Sequence, residues 1–187
     1  MHNSKKQYDD FPYLLDSETR KNLVEITDNN GLPFLLMPEH LVKKKKMHHR
    51  IIIVLLKDKK NRVLFVQKHS NQTQNTKNIW EFPCHGIVFA GESAEGTAYA
   101  ELQTHFYIDD SIKMKEIATL PYLQDDIYVM ATIFYAGPHY GTFRYNEDTV
   151  KDAMFVDKDE FAGLLAYDPD MFNPIIKWAH RANWIYK

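Results

Sequence analysis

The chain has 187 residues, 44% hydrophobic and 26% charged, with a formal net charge of −2. That length and balance describe a single globular domain with a real core, and they give no electrostatic case for a nucleic-acid polymer or a membrane surface as partner. The single cysteine, Cys84, excludes an internal disulfide. Residues 1–10 lack the apolar stretch of a signal peptide and nothing approaches a membrane span, so the expected location is the cytoplasm.

Residues 1–20 are polar apart from a small apolar patch at 11–15 and read as an N-terminal arm, leaving 21–187 as one domain. Residues 23–27 have strand composition, Asp28-Asn29-Asn30-Gly31 is a turn signal, and 33–37 is the expected return strand. Four lysines, Lys43 to Lys46, follow on a short helical or loop segment. They read as a solvated face, with a phosphate-attracting rim as the sharper alternative. Residues 50–57 form a continuous β-branched apolar run, predicting a strand buried on both faces. A turn at 58–61 leads to a second strand at 62–69, and the polar segment 70–77 suits a loop lining a substrate pocket. A short strand is expected at 79–83.

Residues 112–122 alternate weakly and 127–135 strongly, predicting two more strands, with Gly137-Pro138 and Gly141 ending the second. A last strand at 153–156 precedes two helices. One covers 157–167, with Phe161, Leu164 and Leu165 as its apolar face. The other covers 171–184, carrying Ile175, Ile176, Trp178, Ala179 and Ala182. Strands, an internal helix, strands and closing helices make an α+β layered domain.

The stretch from Gly86 to Glu92 and the helix after it organise the rest. Gly91 supplies a permissive turn backbone, Ser93 a capping oxygen, and Ala94, Ala98 and Leu102 the buried stripe of a helix from Ser93 to about Tyr107. Glu101, Thr104 and His105 flank that stripe, with Glu92 at the mouth. A glycine loop delivering acids onto a helix flank suits a hard divalent cation and a phosphate.

These residues resemble the Nudix box, in which a glycine, five residues, a glutamate and seven residues lead into Arg-Glu-U-x-Glu-Glu-x-Gly-U, U being a bulky aliphatic. Gly86, Glu92, Glu101, Leu102 and Ile108 fall on box positions without a gap. Ala100 stands in place of the box arginine, Thr104 and His105 in place of its paired glutamates, and Tyr107 in place of its second glycine. The resemblance implies the Nudix fold, a mixed sheet between helices. It makes Glu101 the metal ligand or base, Gly86 and Gly91 the loop formers, and Glu92 a structural brace. His49-Arg50, Lys68 and Trp80 are further similar to the isopentenyl-diphosphate isomerase-like branch. Isomerase chemistry is not expected, because Cys84 stands one place too early for that branch's catalytic thiol, and a one-residue offset turns a side chain to the other face of a strand.

Two glutamates fewer means less charge for a strongly hydrated ion, so the expectation is a binder of a diphosphate-containing small molecule with weak or lost hydrolase activity. The alternative is a working hydrolase of a nucleoside diphosphate linked to another group, using Mg2+ or Mn2+. There His105, His85 and Asp126, or Glu147, would make up the ligand set around Glu101; zinc is a softer candidate for the imidazoles. A third reading is a non-catalytic interaction protein using the aromatic C-terminal helix with Trp178 and Trp184. Asp125, Asp126, Glu147 and Asp148 also read as ordinary turn residues. Lys68, Trp80 and Phe82 are candidate substrate contacts, and Tyr128 a further ring that stacks on a ligand or packs in the core.

Overall fold

The computed structural model describes residues 22–69, 79–109, 111–124 and 126–186. The arm at 1–20, the loop at 70–77 and Asp125 lie outside them. β1 (Leu23–Thr27) and β2 (Pro33–Pro38) form the antiparallel hairpin, Leu23 opposite Pro38. Its turn is fixed by Asp28, whose Oδ1 accepts the amides of Asn30 and Leu32, both at 2.9 Å. The lysine run falls on and after a short helix, α1 (Glu39–Lys44). There Lys43 pairs with Glu39 at 2.5 Å, which leaves the run on solvated surface.

β3 (His49–Asp58) is the central strand, because its unbroken β-branched run can be covered on both sides. It pairs antiparallel with β1, with β4 (Val63–Lys68) and with β5 (Cys84–Ile87), and parallel with β7 (Ile127–His139). β6 (Met114–Gln124) borders β7, and β8 (Val150–Val156) borders β4. Ile51, Ile53 and Leu55 enter one core cluster, whereas Ile52, Val54 and Leu56 enter another. The second cluster is closed by α2 (Ala94–Phe106) through Ala98, Leu102 and Phe106. The first is closed by α3 (Lys158–Tyr167) and α4 (Pro174–Arg181) through Phe161, Ile175, Ile176 and Ala179. A mixed sheet between helices results, as the sequence predicts.

Three elements depart from expectation. Residues 79–83 make only isolated bridges, Trp80 to Phe172 and Glu81 to Val66, and the strand proper begins at Cys84. Gly137-Pro138 does not end β7. The glycine takes φ +132, and a Cβ there would lie 2.7 Å from the Lys57 carbonyl oxygen, so the chain passes through in a local register shift and goes on to His139. The last helix starts at Pro174 rather than 171, because Pro174 takes its first turn and the Asn173 side chain caps the Ile175 amide at 3.0 Å. A 3₁₀ turn, Pro169–Met171, precedes it. Among the described residues no helix is long and apolar enough to cross a membrane.

Candidate functional site

Two sets of contacts surround the glycine loop. The first holds its shape. Gly91 has φ +82, and its amide donates to Glu25 Oε1 at 3.5 Å; Glu25 Oε2 accepts from the Arg50 guanidinium at 2.5 Å. Glu92 accepts the Thr97 hydroxyl at 2.8 Å, and the Ser93 side chain caps Gly96 at 3.0 Å. Helix start and loop are therefore tied to β1 and β3 by ionic and capping bonds. Glu92 acts here as a brace. Glu25 and Arg50, 25 positions apart, carry no local signal of their partnership.

The second set lies where β4 and β5 part from β3. Glu81 makes the isolated bridge to Val66, and its carboxylate stands 3.6 Å from Lys68 at the end of β4. β5 lays Gly86 opposite Ile52 and His85 opposite Ile53. A Cβ added to Gly86 would come within 3.8 Å of the Glu101 carboxyl carbon, so glycine at this position leaves the carboxylate against the strand. Glu101 Oε2 is 3.2 Å from His105 Nε2, one turn on. The His105 Nδ1 in turn meets the Thr149 hydroxyl at 2.9 Å, and that hydroxyl also lies 3.2 Å from the Asn146 carbonyl. The Asn146 amide donates to the His105 carbonyl at 2.8 Å, stitching the last turn of α2 to the segment before β8.

Burial works to raise the Glu101 pKa, but the hydrogen bond and charge of His105, with Lys68 and His85 beyond, hold it below the ordinary carboxylate value. Burial lowers His85, and the Lys68 charge adds to that, so the ring is neutral at pH 7. Its Nδ1 is buried and has no hydrogen-bond partner among the described residues. Cys84 is wholly buried among the residues under α2. Burial first, and the negative charge of Glu101 second, push its thiol well up, which makes it inert as a nucleophile.

Other candidates sit elsewhere. Asp126 occupies the β6–β7 turn at φ +64, its side chain 87% exposed and 3.5 Å from Lys46. Gly86 and Thr132 flank Ile52 on its two sides, and Asp126 precedes Thr132 by six positions, which puts it about 20 Å along the sheet from Glu101. It cannot share an ion with Glu101 in this conformation. Among the described residues, no three His, Cys, Asp or Glu side chains converge closely enough to hold a metal ion. Phe82 is fully buried against Phe65, and Trp80 is 9% exposed, so both serve the core and neither offers a ring face to a ligand. Lys68 remains at the site. Trp178 and Trp184 pack on each other and against the main core, so the expectation of an aromatic interaction surface on the last helix has no exposed ring pair behind it. Sequence reading missed Thr149, the residue that holds His105; its 44-position separation leaves no local trace.

No protein-family profile matches the sequence, and no curated protein does. The fold does have counterparts among solved structures. A Deinococcus radiodurans protein, DR0079, superposes with a TM-score of 0.70 at 10% identity, over 85% of this chain and 98% of that one. A MutT protein from Methanosarcina mazei gives 0.52 at 16% identity, over 62% of this chain and 81% of its own. The architecture is the Nudix fold.

Proposed function

We propose that this Nudix-fold chain binds a diphosphate-containing small molecule beside Glu101 and hydrolyses it weakly or not at all. The observation that carries the reading is the engagement of the Glu101 carboxylate by His105, which is itself held by Thr149. A hard divalent cation takes six or more oxygen ligands, drawn largely from carboxylates and water. Here the Glu101 carboxylate is already engaged by the His105 imidazole and the Glu81 carboxylate stands beside Lys68, and among the described residues no three His, Cys, Asp or Glu groups converge. These residues do not fit a magnesium centre.

What the site offers a phosphate is the Lys68 ammonium beside the half-buried His85 ring, with the Glu81 and Glu101 carboxylates close by. Lys68 is paired loosely with Glu81 at 3.6 Å, a separation at which an incoming phosphate oxygen competes well for the ammonium. Gly86, lacking a side chain, lets a ligand approach the strand backbone. The fit of Gly86, Glu92, Glu101, Leu102 and Ile108 to Nudix-box positions, on a fold shared with the Methanosarcina MutT protein, supports a phosphate-bearing ligand class by analogy.

The test is a calorimetric and turnover screen of nucleotide sugars, dinucleotides and prenyl diphosphates, with and without Mg2+ or Mn2+, alongside Glu101→Gln and Lys68→Ala. Binding that persists in chelator, falls in Lys68→Ala and yields little turnover supports the proposal. Fast metal-dependent turnover abolished in Glu101→Gln would establish the alternative, an active hydrolase. Absence of binding by any diphosphate would sink both.

A further inference from the structure

A concavity lies away from Glu101. It has a volume of about 360 Å³, within the range of small-ligand pockets, and opens between the β1–β2 turn and the start of β7. Asp28, Asn29, His48, Pro121, Tyr128 and Met130 are among the residues that line it. His48 stands four positions before Ile52, the β3 residue opposite Gly86, which separates the two places by about 13 Å along the strand.

The walls are fixed independently of one another. Gly31, at φ +78, lays the turn on Met130, where a Cβ would meet the methionine methyl at 3.3 Å. Asp28 is oriented by the two amide bonds to its Oδ1. Tyr128 is 55% exposed and stands edge-to-face with His48 at 5.9 Å, an arrangement that sets its ring without covering it. Pro121 faces Met130 across the β6–β7 ladder and supplies an apolar floor.

The chemistry differs from that of the Glu101 site. Among the described residues the lining brings a carboxylate, an amide, an imidazole and an open aromatic ring, and no lysine or arginine. The nearby Lys46 is engaged with Asp126. Such a lining repels a polyanion. It attracts a flat cationic ring with an N–H donor on its edge, because the turn bonds to Asp28 Oδ1 leave Oδ2 to accept a donor and tyrosine favours a cationic ring.

We propose that this cavity binds a planar aromatic cation bearing N–H donors, of amidinium or protonated amino-heterocycle type. Asp28 accepts a donor through Oδ2, Tyr128 and His48 flank the ring, and Pro121 with Met130 form the apolar base.

Benzamidine is the probe, titrated into the full chain while amide and side-chain NMR shifts are followed, with benzoate as the charge-reversed isostere. Saturable shifts at residues 28–29, 48 and 128–130 are expected for benzamidine and none for benzoate. Asp28→Asn keeps the turn, since its amide oxygen accepts the same backbone bonds, and should weaken benzamidine about tenfold. Tyr128→Ala should weaken it about threefold or more, with Tyr128→Phe near wild type. Saturating inorganic pyrophosphate should leave the benzamidine affinity unchanged. Equal binding of benzoate, an unaffected Asp28→Asn, shifts confined to other residues, or displacement by pyrophosphate would each overturn the proposal.

Discussion

The loop end of the helix and its middle make a useful contrast. At the loop, Glu25, Arg50, Gly91, Glu92 and Thr97 form a closed set of charge-assisted and capping bonds that fixes the backbone. One to three turns further on, Glu101 meets a histidine, and that histidine is tied to Thr149. The first set answers a demand of the chain itself, a left-handed glycine turn feeding a helix. The second joins two side chains of the helix to the segment before β8. The two sets are thus separable in physical terms, since different bonds carry each.

The sharpest way to break the contrast is at its structural pole. Arg50→Ala strands the mostly buried Glu25 carboxylate and should cost about 2–3 kcal/mol in urea unfolding. That is below the loss for a fully buried pair, because the guanidinium is partly exposed. A loss near zero would mean that the loop stands without its brace. Ser93→Ala removes the cap on Gly96 and should cost about 1 kcal/mol by the same assay.

At the chemical pole, Thr149→Val should cost about 1–2 kcal/mol, since it removes two half-buried hydrogen bonds, to His105 and to the Asn146 carbonyl, while freeing the His105 ring to turn. Replacing Thr104 and His105 together by glutamate adds two carboxylates on the Glu101 flank. The double variant should gain a magnesium-dependent rise in melting temperature that the natural chain lacks, with the fold unchanged by circular dichroism. A rise of equal size in the natural chain would show that its own residues already grip the ion.

The pH dependence sharpens the same pole. Glu101 has a folded pKa below its unfolded value, so its contribution to stability is complete above the unfolded carboxylate pKa of about 4.3 and is lost as pH falls through the lower folded value. The stability gap between the natural chain and Glu101→Gln, from urea titrations at neutral pH and at successively lower pH, should therefore close on the acid side. A gap that widened in acid would reverse the assigned direction.

Much of this was readable beforehand where the signal is local. The β-branched run of β3 and the Ser93 cap each announce themselves within a few residues. The apolar period puts the start of the last helix three residues early, because it does not mark where Asn173 caps and Pro174 opens the first turn. What stayed hidden depends on residues meeting from afar. Neither Arg50 with Glu25 nor His105 with Thr149 has a spacing that betrays it. The placement of Asp126 at the far end of the sheet follows from the β7 register, which the sequence of a single strand does not fix. Phe82 is readable as a stacking ring but better as core, and the packing of Phe65 and its neighbours places it in the core.

The parallel ladder between β3 and β7 sets His49 opposite Val129, about eighty residues apart. Local turns cannot nucleate such a pairing, and the chain must close a long loop before the central strand acquires its second neighbour. Refolding from urea should accordingly be slow for the size of the chain, in the millisecond-to-second range, with amide protection on β3 and β7 arriving together and late. The β1–β2 hairpin, closed by the Asp28 turn, is free to gain protection earlier.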